Sequence, residues 1–132
     1  MKGYFVDLEN VTEDNSTFRT VLYTGKHMQL VAMSLLPREE IGFEVHTDTD
    51  QFLRCGAGEG KVIVDDTEYA IKDDSAVIVP AGARHNVINT SDTESLKLYT
   101  LYGPSHHKDK TVHTTKQDAL ASDEAFDGVT SE

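Results

Sequence analysis

The chain has 132 residues, 38% of them hydrophobic, which supports one domain with a buried core and argues against global disorder. Its 12 Lys and Arg face 23 Asp and Glu, and the formal charge of −11 repels phosphate backbones and anionic lipid headgroups, disfavouring nucleic acid and membrane as partners. A site for a strongly anionic substrate would therefore need local compensation from a few basic side chains or a metal.

No apolar run approaches the roughly 20 residues of a membrane span, and the opening Met1 to Asp7 lacks a signal peptide's apolar core. A cytoplasmic protein is the expectation. The single cysteine, Cys55, permits no internal disulfide and fits a reducing compartment.

Residues 1–16 carry Asp7, Glu9, Asn10, Glu13, Asp14 and Asn15, a polar mix that favours turns over a helix and predicts an N-terminal arm or loop. From Thr17, β-branched and aromatic residues alternate through Phe18, Thr20, Leu22 and Thr24 until Gly25 breaks the strand. Met28 to Leu36 is nearly continuously apolar, which predicts a strand covered on both faces and ended by Pro37. Gly42 to His46 predicts a short strand with Glu44 and His46 on one face, followed by a turn at Thr47 to Asp50. Gln51 to Cys55 is extended again, and Gly56, Gly58 and Gly60 mark a tight bend. Lys61 to Val64 and Thr67 to Ile71 flank Asp65-Asp66 as a hairpin. Ala76 to Val79, Arg84 to Asn89 and Leu96 to Tyr102 complete a set of about nine strands, with no convincing helix among them.

This spacing predicts an all-β closed sandwich or barrel over residues 17–103, since closure removes exposed edges. Residues 104–132 read as a polar C-terminal tail packing on or near the barrel, in which Lys116 to Phe126 can form one short helix. His106, His107 and His113 lie in that tail and are expected to be solvated.

A metal site in a barrel needs side chains that converge from several strands. Glu44 and His46 offer an oxygen and an imidazole nitrogen from one face, Gln51 can approach with its amide oxygen, and His85 comes from a later strand. Pro80 and Gly82 would set the turn that aims His85. Two imidazoles with two oxygen donors suit one divalent transition ion, whether iron, manganese, nickel, cobalt or zinc. Each residue also has a plainer role: Glu44 as a solvated strand residue, His46 and His85 as hydrogen-bonded core groups, and Asp48 or Asp50 in place of Gln51. Cys55 shares parity with Gln51 and reads as a buried thiol. Tyr23, Tyr99 and Tyr102 can line a pocket or pack, and Arg54 and Lys97 can meet an anion or face solvent.

At these residues the chain resembles a small single-domain cupin. The family's second motif is a glycine, five residues, then Pro-x-Gly-x-x-His-x-x-x-Asn, which Pro80, Gly82, His85 and Asn89 match, with Asp74 in place of the leading glycine. In the degenerate first motif Arg38 replaces a glycine, Glu44 a histidine and Gln51 a glutamate, while His46 and Gly58 are kept. The two ligand changes compensate in charge. The resemblance implies a double-stranded β-helix, or jelly-roll barrel, with a ligand pocket at its mouth, and commonly a homodimer. It further implies a metal-binding cupin, as a small metalloenzyme acting on a polar metabolite, by sugar or sugar-acid isomerisation or ring opening or as a dioxygenase. Small cupins of this kind are often likened to mannose-6-phosphate isomerase. The alternatives are a non-enzymatic cupin that senses or carries a small ligand, and a metal-free relic kept for oligomerisation.

Overall fold

The computed structural model describes residues 1–132. In chain order its elements are α1 (Leu8–Asp14), β1 (Arg19–Thr24), β2 (Gln29–Leu35), β3 (Glu44–Val45), β4 (Asp50–Ala57), β5 (Glu59–Val64), β6 (Thr67–Lys72), β7 (Ala76–Val79), β8 (Arg84–Asn89), β9 (Leu96–Gly103), β10 (Val112–His113) and α2 (Lys116–Ala121). The strands form two antiparallel sheets, one in the order β10-β1-β2-β9-β4-β7 and the other β3-β8-β5-β6. From β3 onward the chain passes back and forth between them, the winding of the expected double-stranded β-helix.

The inner face changes character along the barrel. At one end β2, β4 and β9 contribute Met33, Leu35, Leu53, Cys55, Leu96 and Leu98, all nearly or fully buried. Each such leucine stabilises the fold by about 1.5–3 kcal/mol through burial. At the other end the same three strands turn polar side chains inward: Gln29, Gln51, Thr100 and Tyr102. Register makes this a single layer, because Tyr102 pairs with Gln29 on one side and Gln51 on the other. Buried amides and hydroxyls at one mouth cost free energy unless partners meet them, so this end is where a ligand can find unmatched polar groups.

Three departures from the sequence expectation concern the ends of the chain. Residues 8–14 form a helix, not a loop. Its intrinsic propensity is weak, and Asp7 makes no side-chain cap, but Thr12 is buried against the sheet where Gly56 leaves room; a Cβ at Gly56 would stand 2.9 Å from Thr12 Cγ2. This helix helps cover the outer face of β2, where Ala32 and Ser34 are buried. The tail adds an unforeseen strand, β10, paired with β1. It also contains α2, which ends at Ala121 and starts with a capping box between Thr115 and Asp118. Finally, His107 and His113 are buried, which overturns their reading as solvated.

Candidate metal centre

Strand pairing builds the cluster. Glu44 and His85 are direct cross-strand partners in β3 and β8, and His46 lies two residues beyond Glu44 on the same side. The Pro80 to Ala83 turn is fastened through its two central residues: Gly82 N–H, at φ 90°, donates to His46 O at 2.8 Å, and Ala81 N–H donates to Asp50 Oδ1 at 2.8 Å. His85 Nδ1 lies 3.0 Å from Ala83 O. A carbonyl can only accept, so the ring proton sits on Nδ1 and Nε2 keeps its lone pair, the orientation a metal-ligating histidine needs. One potential ligand atom from each of Glu44, His46 and His85 lies within 4.8 Å of the others.

The cluster is electrostatically tense. His46 Nε2 approaches Glu44 Oε2 to 3.1 Å, yet the approach lacks hydrogen-bond geometry and this buried nitrogen has no other partner. Burial alone would raise the Glu44 carboxyl, but His46, Arg19 and His85 nearby outweigh it and hold Glu44 below the usual carboxylate range. Gln51 donates through Nε2 to Thr100 Oγ1 at 3.0 Å, which leaves its buried Oε1 without a donor. An imidazole nitrogen, which binds a cation in its neutral form, and an amide oxygen, which can only accept, are both sequestered and unmatched, and a cation would satisfy them. The donor set therefore fits a borderline divalent ion.

The tail closes over this mouth. Gln29 clamps it: Nε2 donates to His107 O at 2.7 Å, while Oε1 receives the backbone N–H groups of His106 at 3.2 Å and His107 at 2.9 Å. The His106 ring lies 4.2 Å from that of His46 and stacks on Tyr102 at 5.3 Å. Burial, then the neighbouring His107 and His46, push the His106 imidazole down to about 4, so it is neutral at physiological pH. His107 donates from Nδ1 to Glu124 at 2.8 Å, leaving Nε2 to accept from the Tyr102 hydroxyl at 3.4 Å. Burial lowers the His107 imidazole despite Glu124, so this is a neutral ring donating to a carboxylate.

The Cupin domain model matches residues 31–102, which span β2 to Tyr102 in β9. The chain belongs to the cupin family. The uncharacterised YrkC protein of Bacillus subtilis is similar to it, 46% identical over 129 residues, 93% of this chain and 69% of that one. A solved cupin-fold structure, the BH2720 protein of Bacillus halodurans, is 40% identical with TM-score 0.89, over 92% of this chain and 96% of that one. The KdgF protein of a Halomonas species shares the fold at 16% identity and TM-score 0.65, over 83% of this chain and 97% of that one.

The places where this cupin departs from its family's motifs have structural readings. Arg38 and Asp74, which replace glycines, both adopt the left-handed conformation at φ 65° and 72°. Both are bends that a glycine would adopt without strain. Of the other residues singled out, Tyr102 reaches the site. Tyr23 instead donates to Glu132, Tyr99 packs beside Phe52 and Arg54, Arg54 pairs with Asp74, and Lys97 binds Asn15 O. Sequence reasoning missed Gln29, Thr100, Arg19 and Glu124. For Gln29 and Thr100 a signal existed: a polar residue breaking an otherwise apolar inward-facing series.

Proposed function

We propose that the protein is a metal-dependent cupin in which Glu44, His46 and His85, with the Gln51 amide oxygen, hold one divalent transition ion, and that it acts on a small polar metabolite. The observation that carries this reading is the pair of buried atoms without partners, His46 Nε2 and Gln51 Oε1, at the end of the barrel where the Glu44, His46 and His85 cluster converges. Iron, manganese, nickel, cobalt and zinc all suit the donor set. Such an ion supplies Lewis acidity toward a substrate carbonyl or hydroxyl.

The chain's own residues would do the rest. Glu44 is the most open of the three, with 36% of its side chain exposed against 8% for His46, so its free oxygen can take a proton from a bound hydroxyl or carbon acid and return it. Tyr102 and His106 wall the site and keep bulk water away. Proton transfer of this kind suits isomerisation or ring opening of a sugar or sugar acid, with dioxygenase chemistry as the alternative reaction class. A second reading, a cupin that binds or senses a ligand without turnover, is favoured by the tail that Gln29 clamps across the mouth. A homodimer and a cytoplasmic setting complete the proposal; the free thiol Cys55 supports a reducing compartment, and no helix is long and apolar enough to cross a membrane.

Elemental analysis of protein purified without an affinity tag or added metal tests the reading. Near one equivalent of a transition metal, lost in Glu44→Ala and His85→Ala, is expected. Folded wild-type protein that holds no metal and takes up none from solution would refute it. Metal without turnover on sugars, uronates and diketones would favour the ligand-binding reading.

A further inference from the structure

Arg19 is a buried cation that the metal reading leaves unused. Only 7% of it is exposed, and its Nε has no hydrogen-bond partner. Nη1 lies 3.1 Å from His113 Nδ1; a guanidinium only donates, so that nitrogen accepts, and His113 brings no negative charge. No carboxylate stands at ion-pair distance from Arg19, although Glu44 and Glu124 are near enough to feel its charge. Of the chain's other arginines, Arg38 pairs with Asp92 at 2.6 Å and Arg54 with Asp74, while Arg84, which like Arg19 has only an aromatic ring beneath it, is exposed to solvent. In a chain of charge −11, a buried guanidinium without a counter-ion is unexpected unless one arrives from outside.

Arg19 lines a cavity of about 70 Å³ with Glu44 and Lys116 as its other charged walls and Phe18, Ile41 and Leu120 among its apolar ones. That space holds one polar group of a ligand, not a whole metabolite. Because Glu44 borders it, the rest of such a ligand would extend toward His46 and His85. Its cover is α2, which has no fully buried residue and meets the core through the partly buried Ala119.

We propose that Arg19 anchors a carboxylate of the ligand, so that the substrate class is small organic acids, sugar acids among them, and not neutral sugars. The planar guanidinium fork matches a carboxylate, and Lys116 adds a second positive charge. Set against the one carboxylate of Glu44, these two basic residues leave the cavity net positive, the local compensation that the acidic composition demands of an anion site. Where the rest of the ligand lies rests on the metal-centre reading; the carboxylate contact does not.

The test titrates metal-free protein with acetate, acetamide and inorganic phosphate while following the Arg19 Nε–H resonance by NMR. The resonance is the one absent from Arg19→Lys or, should that variant not fold, the one near the Phe18 ring, which lies 5.3 Å from the guanidinium carbon. Saturable shifts with acetate and none with acetamide are expected; followed through the Phe18 ring protons, which both variants retain, affinity falls about tenfold in Arg19→Lys and less in Lys116→Gln. No saturable response to acetate, an equal response to acetamide, or a preference for phosphate would overturn the assignment. Metal content is measured on separate samples. An acetate response in protein that never takes up metal upholds the anchor while the metal reading fails, and metal uptake without an acetate response does the reverse.

Discussion

Replacing Asn89 by leucine tests whether the last residue of the second motif serves the fold or the ligand. Asn89 is fully buried, and its Nδ2 donates to Leu35 O at 3.1 Å, Leu36 O at 3.0 Å and Glu94 O at 2.8 Å, while Oδ1 accepts from Ser91 N–H at 2.9 Å. One side chain thus ties the end of β2 to the end of β8 and to the loop before β9. Leu36 and Glu94 are exposed, so water can replace their lost partner at little cost. Leu35 and Ser91 are buried, and each loses a partner that water cannot easily replace, at about 1–3 kcal/mol. The expected destabilisation of Asn89→Leu is about 4 kcal/mol, and with a urea m-value of about 2 kcal/mol/M the midpoint falls by about 2 M. Metal content per folded molecule should not change. A fall of less than about 0.5 M at unchanged m-value, or loss of metal from protein that stays folded, would refute the structural role.

Three further outcomes follow from the same geometry. A divalent ion at a hundred times its dissociation constant adds about 2.7 kcal/mol, which for a chain of this size raises the melting temperature by about 10 °C; thermal denaturation of His85→Ala should show no such rise. Gly58 sits at φ 86°, where an added Cβ would overlap Ser95 O, so Gly58→Ala should lose about 2–4 kcal/mol in urea denaturation; a loss below 1 kcal/mol would contradict the crowding. Burial would raise the Glu124 carboxyl, but His107 and the Lys108 N–H hold it down at about 2, against an ordinary 4.5. A depressed carboxylate contributes its stability above the ordinary value and loses it as pH falls toward the folded one. Wild type should therefore lose more stability than Glu124→Gln between pH 4.5 and 2, and parallel curves would show that the carboxylate is not held this way.

The candidate site was legible where its parts are close in sequence. Glu44 and His46 share a face because strands alternate, and Pro80 with Gly82 sets a turn that delivers His85, so both halves could be read from spacing alone. Gln51 was legible as a candidate, but its distinguishing feature, a buried oxygen without a donor, depends on Thr100 in a strand 49 positions away. Arg19 and Glu124 were invisible for the same reason. Nothing near Arg19 in sequence indicates that it points inward toward a cavity edged by Glu44 and covered by α2.

By itself the sequence determined the β-strand periodicity, the turns and the motif that names the family, because these depend on alternation every two residues and on backbone constraints at proline and glycine. The tertiary structure decided what the weak segments do. Residues 8–14 have too little helix propensity to form a helix alone, and do so because Thr12 fits over Gly56. His106, His107 and His113 sit among polar residues that any local reading places in water, yet Gln29, at the far end of another strand, fastens the tail over the barrel mouth. A polar segment takes its structure from whatever surface can satisfy its backbone, and that surface exists only after the strands have paired.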